Sequence, residues 1–375
     1  LREEPMSWLI TILRDVPDPR TGNATRHDLL DVLTIALVAS ICGCESCVEF
    51  ADFAEDREDL FREFLGLENG LPSHDTFSRL FRLIEPAALA AAFGRFLEVL
   101  GEGSAGVVAI DGKTLRRSFD RAAGRSALHV VTAFAAEAQL VIGQKAVPSG
   151  GNEITAARDL LELLDLKGSL VTADAIHCQA RTADLVLARG GDYLFALKDN
   201  RPAMRAEVET FFADPEAAVH RCETTDADHG RIEVRRHAVS HDVAWLASDR
   251  RFADEAAMPG LAAIAMVEAE VERDGRTTTS RRYYLSSAAL TPERFAAAVR
   301  AHWTIENGVH WVLDTVFDED RARNRKDHGA ENLAVIRKLA LNVLKRARPD
   351  ISIRRKRKRS GWSDAFARSI IGQMR

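Results

Sequence analysis

The chain has 375 residues, of which 46% are hydrophobic and 29% charged, and its net charge at pH 7 is −5. This length allows two or three domains with their own hydrophobic cores. The longest apolar run, from Val32 to Cys44, has about 13 residues and is too short to span a membrane. The acidic first residues lack the basic start and apolar centre of a signal peptide. We therefore expect a cytoplasmic globular protein with no membrane partner.

The first hundred residues are acidic and have a helical pattern. They contain 9 Arg, no Lys and 18 Asp or Glu. Apolar residues recur at helical spacing in residues 29–41 and 58–66, and residues 72–77 have the features of a capped helix start. We predict a helical N-terminal domain over residues 1–100. Its short helices are typical of a helix-turn-helix, whereas its acidic charge equally favours an accessory or dimerisation domain.

Three of the five cysteines, Cys42, Cys44 and Cys47, are clustered in this N-terminal segment. A structural zinc site requires four ligands, and no second clustered pair follows. We therefore interpret the three as small buried thiols on a helix.

From about residue 105 strands alternate with helices. Three apolar runs, at 107–110, 127–136 and 139–147, predict an antiparallel meander. A helix from Asn152 to Leu164, a strand that ends at Asp174, a helix over 178–189 and a strand over 192–198 follow. This order is typical of a ribonuclease-H-like sheet, so the predicted fold class is α/β.

The alternation of helices and strands is then interrupted. After a helix over 201–213, residues 214–290 alternate like β-strands, and Asp274-Gly275 predicts a hairpin turn. We predict a β-rich insertion there. Thr291-Pro292 starts a helix that continues through Asp314, and a final amphipathic helix is expected over residues 331–347.

The C-terminal end is strongly basic. Residues 321–375 contain 17 Lys or Arg against 4 Asp or Glu, and residues 354–359 are all basic. A basic end on an acidic protein favours contact with a polyanion such as nucleic acid, although a merely solvated segment is the alternative. We predict a basic C-terminal tail over residues 348–375, with Arg354, Arg355 and Lys356 as candidate nucleic-acid contacts.

Two apolar runs each end in an isolated carboxylate, Asp111 and Asp174. The ends of buried strands are where α/β folds place ligand chemistry, and two converging carboxylates suit a hard divalent cation such as Mg²⁺. The alternative is that one or both only begin a turn or cap a helix.

A third carboxylate lies on the helix that starts near residue 292. Spacing of four places His302, Glu306 and His310 on one stripe of this helix, beside Trp303 and Asn307. Zinc binding by this stripe is disfavoured because the spacing is not that of the usual helical zinc motif. A packed helix with satisfied polar groups remains an alternative. The other interpretation is that Glu306 joins Asp111 and Asp174.

Several segments together resemble the DDE transposases of bacterial insertion sequences, most closely the ISAs type that includes proteins associated with H-repeat elements. The matching segments are VVAIDGKTLRRS, ALHVVTAF, NEITAARDLLELLDLKGSLVTADAIHCQ, GGDYLFALKDN, HWTIENGVHWVLDTVFDED and ENLAVIRKLALNVL. The resemblance implies a helical N-terminal domain, a ribonuclease-H-like catalytic domain over residues 101–347 with its β insertion, and DNA transposition. It also implies that Asp111, Asp174 and Glu306 are the catalytic acids.

The chain departs from related insertion-sequence families at auxiliary positions. Where those families have Tyr and Arg before the Glu and Lys after it, this chain has Val299, His302 and Leu313. Their K-x-N-Q segment is Lys198-Asp199-Asn200-Arg201 here. These differences concern the auxiliary residues and leave the three acids in place.

The chemistry that the resemblance implies is metal-dependent phosphodiester cleavage and strand transfer. The three acids would hold two Mg²⁺ or Mn²⁺ ions, with Asp111 bridging both. The remaining candidate DNA contacts are Lys113, Lys198 and Arg201 on backbone phosphates and His302 or Trp303 stacked on an unpaired base.

The expected partners are double-stranded DNA at terminal inverted repeats, target DNA and a second copy of the chain in a dimer or higher oligomer, at the nucleoid. Three alternatives remain: a domesticated or inactive copy that binds DNA without cutting, a ribonuclease-H-like nuclease without strand transfer, and a helical interaction protein with a vestigial DDE domain.

Overall fold

The computed structural model describes residues 12–100, 106–228, 231–246, 256–273 and 276–373. Its centre is a nine-stranded mixed sheet in the order β3-β2-β1-β4-β5-β9-β8-β7-β6. The strands are β1 (Gly106–Thr114), β2 (His129–Ala135), β3 (Leu140–Ala146), β4 (Ser169–Ala173), β5 (Asp192–Leu197), β6 (His220–Asp228), β7 (Arg231–Ser240), β8 (Ala263–Arg273) and β9 (Arg276–Ser286).

Helices cover both faces of the sheet. Before β1 lie α1 (Leu29–Ile41), α2 (Cys47–Asp56), α3 (Glu58–Arg62), α4 (His74–Leu83) and α5 (Pro86–Leu100). Between strands lie α6 (Glu153–Leu163), α7 (Ala180–Ala188) and α8 (Pro202–Ala213). After β9 come α9 (Pro292–His302), α10 (Trp311–Val316), α11 (Gly329–Arg346), α12 (Ile353–Trp362) and α13 (Asp364–Ile371).

The first five strands have the predicted ribonuclease-H-like arrangement. β1 pairs antiparallel with β2 and β2 with β3, whereas β1 pairs parallel with β4 and β4 with β5. The parallel strands are nearly continuous apolar runs because helices cover both of their faces. The predicted α/β fold class, with helices preceding the sheet, is confirmed.

The four strands β6 to β9 form an antiparallel meander within the predicted insertion. They are not a separate layer, because β9 pairs with β5, from Leu194 opposite Ser286 to Leu197 opposite Tyr283. The meander therefore extends the central sheet. The predicted turn residues Asp274 and Gly275 lie outside the described residues, and Arg273 and Arg276 pair on either side of them.

Alternate residues of β1 belong to the two cores of the protein. Val107 and Ala109 pack with the N-terminal helices, α9 and α11, whereas Val108 and Ile110 pack with α6 and α7 on the other face. This is the period-two alternation of a strand buried on both faces. The N-terminal helices thus share a hydrophobic core with the sheet, and the predicted division at residue 100 stays a prediction.

Helix α11 differs from the expected amphipathic helix, because nearly every residue from Gly329 to Leu344 is buried. It lies between α1, α4, α5 and β3. Its polar side chains are paired inside the protein: Asn342 exchanges hydrogen bonds with the backbone of Val141, and Lys338 Nζ donates to Gln144 Oε1 at 2.7 Å. The polar side of an amphipathic helix is normally exposed, but here these internal partners permit its burial.

The basic C-terminal segment is not a solvated tail, because residues 353–371 form α12 and α13. Arg357 is buried and donates to the carbonyls of Ser40 at 3.1 Å and Cys44 at 3.2 Å. These bonds attach α12 to the C-terminal end of α1 and the turn after it. Within the described ranges, no helix has the length and apolar character needed to cross a bilayer.

Candidate active site

Two carboxylates meet at one edge of the sheet. Asp111 follows Ile110 in β1, and Asp174 follows Ala173 at the end of β4. Ile110 and Ala173 are paired in the parallel register of these strands. Because both strands run in the same direction, the two aspartates come side by side directly after the last parallel pair, as the sequence predicts, although β1 itself continues to Thr114.

Glu306 reaches the same place from a distorted helix. After α9 the chain continues into a π-helical turn, Glu306–His310, before α10 begins. Such turns insert an extra residue into a helix and are frequent at functional sites. Asp111, Asp174 and Glu306 all line one cavity of about 400 Å³, together with His302 and Trp303.

The acids have different electrostatic surroundings. Burial raises the pKa of Glu306, and the negative charge of Asp111 raises it further. Burial also acts to raise the pKa of Asp174, but a hydrogen bond from Lys198 Nζ at 2.8 Å and the positive charge of Lys198 leave it below its ordinary value. His310 Nε2 lies 3.0 Å from Asp111 Oδ2.

His302 and Trp303, which both line the cavity, have different environments. His302 Nδ1 is 3.0 Å from the hydroxyl of Thr172, and burial lowers the pKa of His302, so its ring is neutral at pH 7. Trp303 is 47% exposed, and the guanidinium of Arg282 lies 5.2 Å from the centre of its ring. Trp303 is therefore available to a ligand from the solvent side.

Three of the predicted DNA contacts are corrected by their positions. Lys113 forms ion pairs with Asp314 and Glu319 rather than facing open solvent. Arg201 is buried, and its guanidinium contacts Met258 and the carbonyl of Ala256.

Lys356 is the third, because its ammonium donates to the carbonyls of Leu344 and Ala347 at 2.7 and 2.6 Å. A basic side chain in a charged run normally faces solvent, but these carbonyls near the end of α11 allow its burial. By contrast, Lys198 is more than half exposed at the cavity.

Basic and aromatic residues of the β meander and α8 were missed by the sequence reasoning. Arg205 of α8 and Arg281, Arg282 and Tyr284 of β9 line the same cavity as the acids. The run Arg281-Arg282-Tyr283-Tyr284 was visible in the sequence. Its relation to the site depends on the pairing of β9 with β5, which local patterns do not reveal.

The donor set suits a hard divalent cation, although it is not a preformed cluster. Among the described residues, no three His, Cys, Asp or Glu side chains form a ready metal-binding group. Asp111 and Glu306, however, lie close enough that each charge opposes the other. A cation between two such carboxylates would relieve this repulsion, and carboxylate oxygens are the ligands that Mg²⁺ prefers.

A mixed sheet of this order with three acids at its edge defines a ribonuclease-H-like α/β protein. Comparison with known proteins is more specific. The family "DDE_Tnp_1-associated" matches residues 10–97, and the family "Transposase DDE domain" matches residues 102–343. The chain therefore belongs to the DDE transposase family.

Named relatives cover nearly the whole chain. It is 35% identical to "H repeat-associated putative transposase YhhI" of Escherichia coli (strain K12) over 95% of both chains, and equally similar to "Putative protein YbfL" of the same strain. It is also 39% identical to "Uncharacterized protein in dhlA 3'region" of Xanthobacter autotrophicus, over 74% of this chain and 93% of that protein. The expected kinship with H-repeat proteins is confirmed.

Proposed function

We propose that this protein cleaves DNA at the ends of an insertion sequence and joins those ends to target DNA, with Asp111, Asp174 and Glu306 holding the metal ions. The observation that carries the proposal is that three acids from β1, β4 and the π-helical turn open onto one cavity. The family of DDE transposases generally uses divalent metal ions, and DNA is its substrate.

Two Mg²⁺ or Mn²⁺ ions would activate the attacking oxygen and neutralise the leaving oxygen. The chain's own residues bind and orient the DNA. Lys198 provides an exposed ammonium beside Asp174 for a backbone phosphate. Trp303, backed by Arg282, provides a surface on which an unpaired base can stack. His302 is held by Thr172 and, being neutral at pH 7, adds no charge that would compete with a cation.

A second DNA contact is proposed on α12. Its exposed basic residues lie at positions i, i+1, i+4 and i+5, which form one face of a helix: Arg354, Arg355, Lys358 and Arg359. Lys356 and Arg357 point away from this face into the protein. Four cations on one face can neutralise phosphates of the same duplex, and the release of the condensed counterions then favours binding.

We also propose that two or more copies act together on DNA. An element has two ends, each chain carries one set of the three acids, and a symmetric dimer would present one site to each end. Light scattering of the protein with and without duplexes that contain the terminal repeats would measure this assembly. A complex of one chain with two ends would contradict it.

The decisive experiment replaces each acid without changing its shape. Asp111→Asn, Asp174→Asn and Glu306→Gln should each abolish Mg²⁺- or Mn²⁺-dependent cleavage and preserve DNA binding. The control is Glu293→Gln, which changes an exposed carboxylate in the first turn of α9 outside the cavity. If one of the three variants cleaves at the wild-type rate, that residue is not a ligand.

The products separate this proposal from its rivals. Cleavage of element ends without joining would indicate a nuclease, and binding of the ends without cleavage in the wild-type protein would indicate an inactive copy. Joined products that require all three acids would support transposition.

A further inference from the structure

A hydrogen-bonded bridge lies beneath the candidate active site, on the side of the sheet covered by α6. Glu153, in the first turn of α6, accepts a hydrogen bond from His129 Nε2 at 2.7 Å on one carboxylate oxygen. Its other oxygen accepts one from His177 Nε2 at 3.0 Å. No role has been given to these three residues in the proposed function.

Each histidine is attached to the segment that follows a proposed metal ligand. His177 ends the short helical turn that begins after Asp174, and its backbone N–H donates to the Asp174 carbonyl at 3.0 Å. His129 lies opposite Thr114 in the pairing of β1 with β2, and its Nδ1 is 2.8 Å from the Thr114 hydroxyl. Glu153 therefore links the chain beyond Asp174 to the chain beyond Asp111.

Gly112, directly after Asp111, makes the bridge possible. A Cβ atom built on Gly112 would lie 2.6 Å from both Glu153 Cδ and His129 Nε2. Distances under 3 Å between such atoms require a displacement. The carboxylate and imidazole thus pack directly on the backbone next to Asp111.

The protonation states of the bridge follow from its hydrogen bonds. The hydrogen bond from His177 is the main cause that lowers the pKa of Glu153, so Glu153 is ionised at neutral pH. A carboxylate only accepts, so both Nε2 atoms carry protons. His177 is buried, and its Nδ1 has no hydrogen-bond partner in the described part of the chain. Loss of Glu153 would therefore leave both ring nitrogens of His177 unpaired.

We propose that Glu153 is a positioning residue that fixes the distance between Asp111 and Asp174 by holding the segments behind them. The inference rests on the proposed function, because it assumes that the two aspartates must hold metal ions together. Groups in the outer layer of a metal site typically change metal affinity or activity by about 10- to 100-fold when removed.

The test compares three variants of the full chain. Glu153→Ala removes the bridge. Glu153→Gln keeps the shape of the side chain and can keep both hydrogen bonds. Its amide oxygen accepts from His129 Nε2, and its amide nitrogen donates to His177 Nε2 once His177 carries its proton on Nδ1. Asn152→Ala is the matched control: it removes the N-cap of α6, where Asn152 Oδ1 accepts the Thr155 N–H at 2.8 Å, but it does not touch the bridge. Thermal unfolding shows how much each change destabilises the protein.

Two further readouts are made on every variant. One is Mn²⁺ binding to the protein without DNA, followed by electron paramagnetic resonance. The other is single-turnover cleavage. We expect Glu153→Ala to weaken both by roughly 10- to 100-fold, Glu153→Gln to restore most of the loss, and Asn152→Ala to lower the unfolding temperature with little effect on either.

The outcomes distinguish the inference from the proposed function. If Glu153→Ala changes Mn²⁺ binding and cleavage no more than Asn152→Ala does, the positioning role is wrong, whatever the activity of the wild type. If the wild-type protein binds Mn²⁺ and cleaves no DNA, the proposed function fails while the binding data still test the bridge. The inference would also be overturned if the purified wild-type protein contained tightly bound zinc and the Glu153→Ala variant did not. Glu153, His129 and His177 would then be a metal site themselves.

Discussion

Glu319 is the most informative buried charge outside the candidate site. It is about 1% exposed, and its oxygens lie 2.9 Å from Lys113 Nζ and 3.9 Å from an Arg337 nitrogen. Burial alone would raise its pKa, but the charges of Lys113, Lys338 and Arg337 lower it from 4.5 to about 2. We therefore predict that Glu319→Gln strongly destabilises the protein.

The magnitude follows from the pKa. Because the folded-state pKa is depressed, the stabilisation is fully present above pH 4.5 and is lost as the pH falls from 4.5 towards 2. The difference between 4.5 and about 2, at about 1.4 kcal/mol per pKa unit, corresponds to about 3 kcal/mol at pH 7 and about 2 kcal/mol at pH 3.5. A buried ion pair that loses one partner typically costs a similar 3–5 kcal/mol.

Urea unfolding of the wild type and Glu319→Gln at pH 7 and pH 3.5 measures both values. The control is Glu58→Gln, which removes an exposed ion pair with Arg62 one turn away and should cost about 0.3–0.5 kcal/mol. A loss below about 1 kcal/mol at pH 7, or a loss that stays constant between the two pH values, would refute the assignment of Glu319 as a charged, internally paired carboxylate.

Three further predictions concern α12 and β1. Replacing Arg354, Arg355, Lys358 and Arg359 with Gln should make the plot of log DNA affinity against log salt concentration less steep by about 3 to 4, since each phosphate contact contributes about 0.9. An unchanged slope would show that this face is only solvated. Arg357→Ala should lower the unfolding midpoint because its guanidinium bonds buried carbonyls, whereas exposed Arg354→Ala should not, and equal effects would contradict the burial. Gly112→Ala should reduce cleavage because its Cβ meets Glu153 and His129. The control is Gly94→Ala in α5, which has open space around it and should preserve cleavage while stabilising the helix by about 1 kcal/mol. Cleavage rates and thermal unfolding followed by circular dichroism measure both effects.

The strand order of β1 to β5 could be predicted because its signals are local. Apolar runs of strand length, separated by turns and helices of the right length, admit few arrangements of the sheet. The continuation through β9 could not be predicted. It depends on the pairing of Leu194–Leu197 with Tyr283–Ser286, nearly ninety residues apart in the chain. Alternation of apolar and polar residues identifies a strand but does not show which other strand it pairs with.

Burial of charged residues was the other failure of sequence reasoning. Lys356 and Arg357 occur in an unbroken basic run, and Arg337 and Lys338 occur on a helix whose pattern looks amphipathic. Such side chains are normally exposed. Here carbonyls at helix ends and the carboxylate of Glu319 satisfy them. These partners lie outside the residue's own helical turn, from 9 residues away for Lys356 and Ala347 to 317 for Arg357 and Ser40, so the helical pattern does not reveal them.

In the candidate site, too, some features could be predicted from local sequence patterns and others could not. The two aspartates could be placed together because parallel neighbours end at one sheet edge, and the π-helical turn then brings Glu306 to them from a helix of the expected position. Trp303 was also a predicted contact, but its neighbour Arg282 was not, because Arg282 of β9 reaches the cavity only through the β5–β9 pairing.

The three consecutive residues Asp111, Gly112 and Lys113 near the end of β1 have different surroundings, and the geometry of the strand explains why. Residues i and i+2 of a strand face one side of the sheet, and residue i+1 faces the other. Asp111 and Lys113 both point towards the helices after β9, Asp111 to Glu306 and His310 and Lys113 to Glu319. Gly112 faces α6, where its missing side chain leaves room for Glu153. A change at any one of these three positions therefore disturbs a different structure: the acids of the cavity, the bridge behind it, or the buried charges that hold α10 and α11 against the sheet.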